Sequence, residues 1–257
     1  MKVEIVPLLS DNFCYLLICE ETRQAGIVDP AEAGPVIAAV ERLEVTPVAI
    51  LNTHHHWDHT GGNAELVAKY PGLKVYAHTS DKGRIEAQTD FVHAGDRFVI
   101  GNVGVEVLHN PGHTNGHVSY RARDAVFTGD TMFGGGCGRL FEGTPGDMHV
   151  SLNQMLGGLP GETKVFFGHE YTEANLRFAL DVEPDNEALR ARMEHVLEIR
   201  ARGEFTTPSS IAEEWATNPF MRVDSPTIQA RVKQEDPSND LSPTEVLRVV
   251  RELKNKS

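Results

Sequence analysis

The segment Thr53–Gly62, which reads THHHWDHTGG, constrains this 257-residue chain more than any other stretch. It carries four histidines and one aspartate within six residues, between the apolar run Val48–Leu51 and the helix candidate Ala64–Lys69. Polar side chains gathered at the end of a buried strand cost desolvation free energy unless something binds them. Because imidazole and carboxylate groups are the usual ligands of metal ions, we expect a metal site where a strand turns into a helix.

The spacing within this segment predicts two neighbouring groups of ligands. Residues two apart on an extended chain point the same way, so His54 and His56 can approach one ion together. Asp58 and His59 follow where the chain must turn toward the helix, and they can face a second ion nearby. The glycines at Gly61–Gly62 permit that tight turn.

Three later positions place a His or an Asp beside a glycine just after a β-rich run, and they are His113, Asp130 and His169. Taken singly, each is more commonly structural than functional. Taken with the first segment, they complete a set of seven candidate ligands at strand ends. We therefore expect two ions, because seven ligands are too many for a tetrahedral mononuclear site.

From Met1 to about Phe167 the sequence alternates short β-rich runs with a few helical stretches. Strand candidates have β-branched and aromatic residues between turn residues, and they are Val3–Val6, Tyr15–Cys19, Ile27–Val28, Val48–Leu51, Leu73–Ala77, Val105–Leu108, His117–Tyr120, Ala125–Thr128 and Val165–Phe167. Helix candidates have apolar residues with a period of 3.6, and they are Pro35–Leu43, Ala64–Lys69 and Met148–Leu156.

After about Tyr171 the pattern becomes helical. Leu189, Met193, Val196 and Arg200 follow helical spacing after the start signal Asp185 or Asn186. Two serines each precede a glutamate by three residues, and the segments Ser210–Glu213 and Ser242–Glu245 therefore predict capping boxes, the second with Pro243 at the first helical position. The last ~85 residues thus read as a helical appendage on a β-rich core.

Charge and cysteine content argue against several classes of protein. The formal net charge is −13, with 24 Lys and Arg against 37 Asp and Glu, which disfavours a nucleic-acid partner. No run approaches the ~20 apolar residues of a membrane span, and Glu4, Pro7 and Asp11 interrupt the only signal-like stretch. Three cysteines without regular spacing make no disulfide framework, so we expect a cytoplasmic protein with no membrane partner.

The ordered set H-x-H-x-D-H, then a His, an Asp and a His, resembles the dinuclear hydrolases of the metallo-β-lactamase superfamily. The resemblance implies an α/β fold, an αββα sandwich, with two divalent ions per chain. The ions would be zinc, although iron and manganese suit the same ligands. It also implies one ion held by His54, His56 and His113, a second held by Asp58, His59 and His169, and Asp130 as the bridge.

A closer resemblance, over nearly the whole chain, is to the glyoxalase II family of hydroxyacylglutathione hydrolases. It rests on Thr53–Gly62, on Gly134–Arg139, on Gly168–Thr172 and on Asn218–Arg222 in the helical appendage. The resemblance implies a dinuclear metal domain at residues 1–172 and a helical substrate-binding domain at residues 173–257. We expect the chain to act as a monomer on a small-molecule glutathione thioester.

Glutathione carries two carboxylates, and a basic stripe near the C-terminus offers them partners. Arg248, Arg251 and Lys254 are three residues apart, which aligns them along one side of a helix starting near Pro243. From the residues alone, a solvated basic face that complements the helix C-terminus is the simpler interpretation. The resemblance favours substrate binding instead, because Arg251 and Lys254 match the carboxylate-binding positions of the family.

Two further positions match family contacts to the glutathione backbone, and they are Arg139 and Tyr171. Phe141 stands where the family often has an aromatic hydroxyl, so one hydrogen bond to substrate would be absent. Gly134–Gly138 looks like a phosphate-binding loop but lacks the Lys-Ser/Thr ending of a P-loop.

The resemblance implies hydrolysis of S-2-hydroxyacylglutathione thioesters such as S-D-lactoylglutathione to D-lactate and glutathione, a step of methylglyoxal detoxification. A metal-bound hydroxide would be the nucleophile, with Asp58 and Asp130 as the catalytic carboxylates and no role for Cys137. The alternatives are a glutathione persulfide dioxygenase with one iron, another thioesterase of the superfamily, a β-lactamase and a metal-binding module without catalysis. Metal content and oxygen uptake would separate the first alternative from a hydrolase.

Overall fold

The computed structural model describes residues Met1–Ser257, which form two compact units. Unit 1 comprises Met1–His109 and Gly116–Gly129, and unit 2 comprises Asn110–Asn115 and Asp130–Ser257. The division into domains at residues 1–172 and 173–257 stays a prediction. No helix in either unit is both long enough and apolar enough to cross a bilayer.

Unit 1 is built mainly from strands. In chain order its elements are β1 (Lys2–Leu8), β2 (Asn12–Ile18), β3 (Gln24–Val28), α1 (Ala33–Leu43), β4 (Thr46–Leu51), α2 (Trp57–Thr60), α3 (Asn63–Lys69), β5 (Lys74–His78), a 3-10 turn (Thr79–Asp81), β6 (Asp90–Val92), β7 (Arg97–Ile100), β8 (Val103–His109), β9 (Val118–Ala122) and β10 (Ala125–Gly129). The predicted strands and helices of this region are confirmed to within a few residues.

The strands of unit 1 form a mixed sheet and an antiparallel one. The first sheet follows the order β1 to β6, with β1, β2 and β3 antiparallel and β3 to β6 parallel. The second sheet runs β10-β9-β8-β7 within this unit, with antiparallel pairing throughout. Parallel strands β3 and β4 end side by side at Val28 and Leu51, so the segments that follow them emerge at one edge.

Buried apolar side chains cover both faces of the first sheet. On one face Val36 of α1 and Leu66 of α3 belong to one core with Ile27 and Ile50. Aromatic contacts join the two sheets, with the Tyr76 and Phe98 rings stacked 4.2 Å apart and the Tyr15 and Phe127 rings 5.6 Å apart. Unit 1 therefore contains the helix–sheet–sheet layers of the predicted αββα sandwich.

Unit 2 is mostly helical. In chain order its elements are β11 (Met132–Phe133), β12 (Gly136–Cys137), α4 (Pro145–His149), a π-helical stretch (Val150–Leu156), β13 (Lys164–Phe167), α5 (Thr172–Val182), α6 (Glu187–Ala201), β14 (Ser209–Ser210), α7 (Ile211–Thr217), α8 (Pro226–Glu235) and α9 (Pro243–Lys256). The predicted helical appendage is confirmed. Leu176 and Ala179 of α5 form a core with Leu189, Met193 and Val196 of α6.

Only one of the two predicted capping boxes has its cap. Ser210 caps α7, because its hydroxyl accepts a hydrogen bond from the Glu213 N–H at 3.1 Å. The prediction for Ser242 is wrong, since its side chain makes no cap hydrogen bond at the start of α9. Glu245 is instead engaged by the Arg248 guanidinium at 2.6 and 2.8 Å. Pro243 does occupy the first turn of α9, as predicted.

The carboxylate of Glu183, just after α5, ties together three segments of unit 2. It is 3% exposed and accepts hydrogen bonds from Arg222 Nε and Nη2 at 2.8 Å each, and from Asn186 Nδ2 at 2.9 Å. Burial raises the pKa of Glu183, but hydrogen bonds from Arg222, Ser225 and Asn186 outweigh it, so its pKa lies below the ordinary 4.5. A depressed carboxyl pKa stabilises the fold above the unfolded value and loses that effect as pH falls through the folded value.

We expect Glu183→Gln to lower the free energy of unfolding by about 1.5–3 kcal/mol, because charged hydrogen bonds to a buried group are lost. The difference from the wild type should be largest above about pH 5 and should shrink in acid. Chemical denaturation at several pH values measures both. Glu173→Gln, which removes an exposed pair with Arg177 on α5, is the matched control and should change stability by less than about 1 kcal/mol. Equal losses in the two variants would contradict the prediction.

Candidate metal centre and substrate pocket

Seven His and Asp side chains belong to groups that could hold a metal ion, and they are the predicted ligands His54, His56, Asp58, His59, His113, Asp130 and His169. The first four lie in unit 1, and the other three lie in unit 2. The distances within each set show whether its side chains are placed to bind a metal ion together.

The unit 1 ligands lie on the turn between β4 and α3. His54 and His59 are buried, at 0% and 1% exposure. The Nε2 atom of His54 lies 2.9 Å from Nδ1 of His56, so both imidazoles turn a nitrogen toward one point. The Nε2 atom of His59 lies 3.7 Å from Oδ2 of Asp58 in the same way. The predicted pairs His54 with His56 and Asp58 with His59 are therefore brought together.

Asp29 is a buried partner of this turn that the sequence analysis missed. Its carboxylate accepts hydrogen bonds from the Thr53 N–H and the Thr53 hydroxyl, each at 2.7 Å, and Oδ2 lies 3.0 Å from Nδ1 of His59. Its backbone is left-handed, with φ +50°. Asp29 follows β3 directly, but its neighbours are Val28 and Pro30, so the pattern of a His or Asp beside a glycine at a strand end does not include it.

In unit 2 the carboxylate of Asp130 faces two histidines. One oxygen lies 3.4 Å from Nε2 of His113, and the other lies 3.4 Å from Nε2 of His169. The Nδ1 atom of His113 donates to the carbonyl oxygen of Arg139 at 2.8 Å, which leaves Nε2 for a ligand. The His169 ring stacks on Tyr171, with centroids 4.7 Å apart. A carboxylate with its two oxygens turned to different histidines has the donor arrangement of a bridging ligand.

A glycine allows the chain to pass close to these ligands. A Cβ atom on Gly138 would lie 2.1 Å from the carbonyl oxygen of Asp130 and 2.8 Å from Nδ1 of His113. Only glycine fits at such a distance from backbone. This close approach gives a structural reason for glycine at this end of the segment Gly134–Gly138, without a phosphate ligand.

A cavity of about 430 Å³ opens beside the unit 2 ligands. It contains aromatic side chains and three basic ones, and its wall consists of His113, Asp130, Phe133, Cys137, Gly138, Arg139, Phe141, Tyr171, Ala174, Asn175, Arg251, Lys254 and Ser257. All four predicted substrate-binding residues are therefore in this wall. An anionic ligand with apolar segments would complement such a lining.

The three cations of the predicted basic stripe differ in their surroundings. Arg251 is only 6% exposed, its Nη1 donates to the Cys137 carbonyl at 2.7 Å, and its buried Nε has no hydrogen-bond partner. Burial lowers the pKa of Lys254, and the nearby Arg251 lowers it further. Arg248 is paired with Glu245 and Glu252 instead. A solvated basic face thus describes Arg248 and does not describe Arg251.

Family models match both parts of the chain. Residues 10–169 match the model described as "Metallo-beta-lactamase superfamily". Residues 170–257 match the model described as "Hydroxyacylglutathione hydrolase C-terminus".

Individual proteins agree with these matches. A hydroxyacylglutathione hydrolase of Synechococcus sp. is 49% identical over 250 residues, covering 94% of this chain and 96% of that protein. One of Thermosynechococcus vestitus is 50% identical over 239 residues, covering 92% and 94%. The crystal structure of ETHE1 from Myxococcus xanthus has a TM-score of 0.67 at 25% identity and covers 99% of this chain and 98% of that one. The chain belongs to the hydroxyacylglutathione hydrolase family, within the metallo-β-lactamase superfamily.

Proposed function

We propose that this protein hydrolyses S-2-hydroxyacylglutathione thioesters, such as S-D-lactoylglutathione, to a 2-hydroxy acid and glutathione. The observation that carries the proposal is the cavity whose wall contains the cations Arg251 and Lys254 together with the candidate metal ligand Asp130. Cations in a partly buried wall favour an anionic ligand, because charged hydrogen bonds are worth about 1.5–3 kcal/mol each. Family membership supports a glutathione thioester as that ligand.

We propose that the seven ligands hold two divalent ions, as zinc. His54, His56 and His113 would hold one ion, Asp58, His59 and His169 the other, and Asp130 would bridge them. The fit rests on donor chemistry, because the histidines of each set turn a ring nitrogen toward another candidate ligand. Two such ions, held by these residues, would lower the pKa of a bound water to about 7 and would polarise the thioester carbonyl.

The remaining residues bind and orient the substrate. Arg251 and Lys254 would pair with glutathione carboxylates, and Arg139 and Tyr171 would bind its peptide backbone. Phe141 supplies an apolar contact and no hydroxyl, so it makes no hydrogen bond there. The leaving thiol has a pKa of about 8.5, so the reaction requires little help from a protonated side chain.

We propose a monomer in the cytoplasm as the working form. The three cysteines are free and buried, which suits a reducing compartment. Gel filtration with light scattering at micromolar concentration tests the monomer directly.

The proposed reaction predicts selectivity between two thioesters. Hydrolysis of S-D-lactoylglutathione should exceed that of a small lactoyl thioester without the glutathione carboxylates by roughly 100-fold or more in kcat/KM, since two charged contacts are each worth about 1.5–3 kcal/mol. Thiol release measures both rates. Equal kcat/KM values for the two thioesters would contradict a glutathione substrate, and oxygen uptake with glutathione persulfide would favour the dioxygenase.

Metal content is a separate expectation. The purified protein should hold close to two ions per chain, because seven ligands exceed the needs of one tetrahedral ion. The metal is removed stepwise with a chelator, and the number of ions per chain and the hydrolytic activity are measured at each step. Full activity with a single ion per chain would overturn the dinuclear site.

A further inference from the structure

Asp29 occupies a position from which one carboxylate reaches two of the proposed ligands. Its Oδ2 atom lies 3.0 Å from Nδ1 of His59, and it also accepts the hydrogen bond of the Thr53 hydroxyl at 2.7 Å. The Thr53 hydroxyl oxygen in turn lies 3.0 Å from Nδ1 of His54. His59 is therefore reached directly, and His54 is reached through one hydroxyl group.

The direction of each hydrogen bond follows from what the groups can donate. An ionised carboxylate only accepts, so the single hydroxyl proton of Thr53 goes to Asp29. The Thr53 oxygen can then only accept from His54, which puts the ring proton of His54 on Nδ1. The same reasoning puts the ring proton of His59 on Nδ1, facing Asp29. In both rings the atom without a proton is then Nε2, the one that would bind a metal ion.

The Nε2 atoms face the other ligands of unit 1. Nε2 of His54 lies 2.9 Å from Nδ1 of His56, and Nε2 of His59 lies 3.7 Å from Oδ2 of Asp58. These two pairs belong to different ions in the proposed ligand set. One carboxylate thus supports a ligand of each ion.

The hydrogen-bonded residues Asp29 and Thr53 are buried and closely packed. Asp29 and Thr53 are 3% and 0% exposed, and the Thr53 N–H holds Oδ1 of Asp29 at 2.7 Å. A Cβ atom on Gly129 would lie 2.3 Å from the Thr53 hydroxyl oxygen, so backbone crowds that hydroxyl. Because both side chains are buried, bulk water does not compete for these hydrogen bonds.

We propose that Asp29 is a positioning residue that sets the tautomers of His54 and His59, and so prepares one ligand for each metal ion. The inference rests on the proposed dinuclear site, and it adds one carboxylate that orients a ligand of each ion. Partners of this kind raise metal affinity by roughly 10- to 100-fold when they orient a ligating histidine.

Asp29→Asn is the decisive substitution. Asparagine has the shape of aspartate, but its NH₂ group donates hydrogen bonds where the carboxylate oxygen accepts them. The Thr53 N–H can only donate, so the amide oxygen must stay on it, and the amide NH₂ then faces Thr53 Oγ1 and His59 Nδ1. Both histidines are driven to carry their proton on Nε2, where it blocks a metal ion. Asparagine tolerates the left-handed backbone at position 29, so the fold is kept.

Chelator competition with zinc on the full-length metal-free protein measures the affinity of each ion, and cobalt(II) spectra report the ligands. We expect Asp29→Asn to weaken both ions by roughly 10- to 100-fold. Thr53→Val should weaken only the ion held by His54, and Thr53→Ser, which restores the hydroxyl, should bind both like the wild type. Thermal unfolding of the metal-free variants controls for folding.

Two outcomes would overturn the inference while leaving the proposed function intact. The role of Asp29 would be refuted if Asp29→Asn bound both ions with wild-type affinity. The role of the Thr53 hydroxyl would be refuted if Thr53→Val bound both ions like the wild type, or bound both of them more weakly. A wild-type protein that binds only one ion would instead overturn the dinuclear site itself.

Discussion

Asp130→Ala is expected to abolish thioester hydrolysis and to strip most of the bound metal from the protein. The two oxygens of Asp130 face Nε2 of His113 and Nε2 of His169, so in the proposed site this side chain serves both ions. Losing the ions removes several kcal/mol of transition-state stabilisation, which corresponds to a fall of more than about 10³-fold in kcat/KM. Steady-state kinetics and elemental analysis of the same preparation measure the two effects together.

Cys137→Ser is the matched control, because it changes a side chain in the same cavity wall that no step requires. Burial raises the pKa of the Cys137 thiol, although the nearby Arg251 opposes this, so the group is a poor nucleophile at neutral pH. The variant should keep most of the activity and both ions. A Cys137→Ser protein that is folded and metal-loaded yet inactive would refute a mechanism without a protein nucleophile.

Replacing Arg251 and Lys254 together by alanine should raise KM for glutathione thioesters by roughly 100-fold with little change in kcat. A carboxylate contact distant from the thioester is made equally in the ground state and the transition state, so its loss removes uniform binding. Each charge-assisted contact is worth about 1.5–3 kcal/mol, which is tenfold or more in KM. Initial rates over a wide range of S-D-lactoylglutathione concentrations separate KM from kcat.

Arg248→Ala provides the control on the same helix. Arg248 lies three residues before Arg251 but is held by Glu245 and Glu252, so KM should stay within about twofold of the wild type. A small thioester without the glutathione carboxylates should react slowly and equally with all three proteins. An unchanged KM for lactoylglutathione in the double variant would contradict a role of Arg251 and Lys254 in binding the glutathione carboxylates.

The grouping of the candidate metal ligands could be predicted because their signal is local. His54, His56, Asp58 and His59 lie within six residues, and the later candidates each follow a strand, so ligand density and strand ends are enough to group them. The separate surroundings of Arg248 and Arg251 could not be predicted, since equal spacing along α9 gives no information on which cation is covered by Cys137 and Phe220.

The capping box predicted at Ser242–Glu245 does not form, because other hydrogen-bond partners are available to its groups. The sequence from Ser242 to Glu245 satisfies the capping-box pattern, yet the Glu245 carboxylate is closer to the Arg248 guanidinium one turn later on the same helix. The Ser242 N–H donates to Asp240 instead, at 2.7 Å. The hydrogen bond of the box that would join the Ser242 N–H to the Glu245 carboxylate is therefore replaced on both sides by hydrogen bonds to charged neighbours, which are the stronger ones.

The bond from Arg251 to the Cys137 carbonyl has a consequence for the cost of binding. A free arginine side chain loses rotamer freedom when a ligand immobilises it, at about 0.5–1.5 kcal/mol. Here Nη1 is already anchored at 2.7 Å and the guanidinium lies 5.1 Å from the Phe220 ring, so this entropy is lost during folding rather than at each turnover. Lysine at position 251 would keep the charge but not this preorganisation, and it should therefore bind the same carboxylate more weakly and with a less favourable entropy.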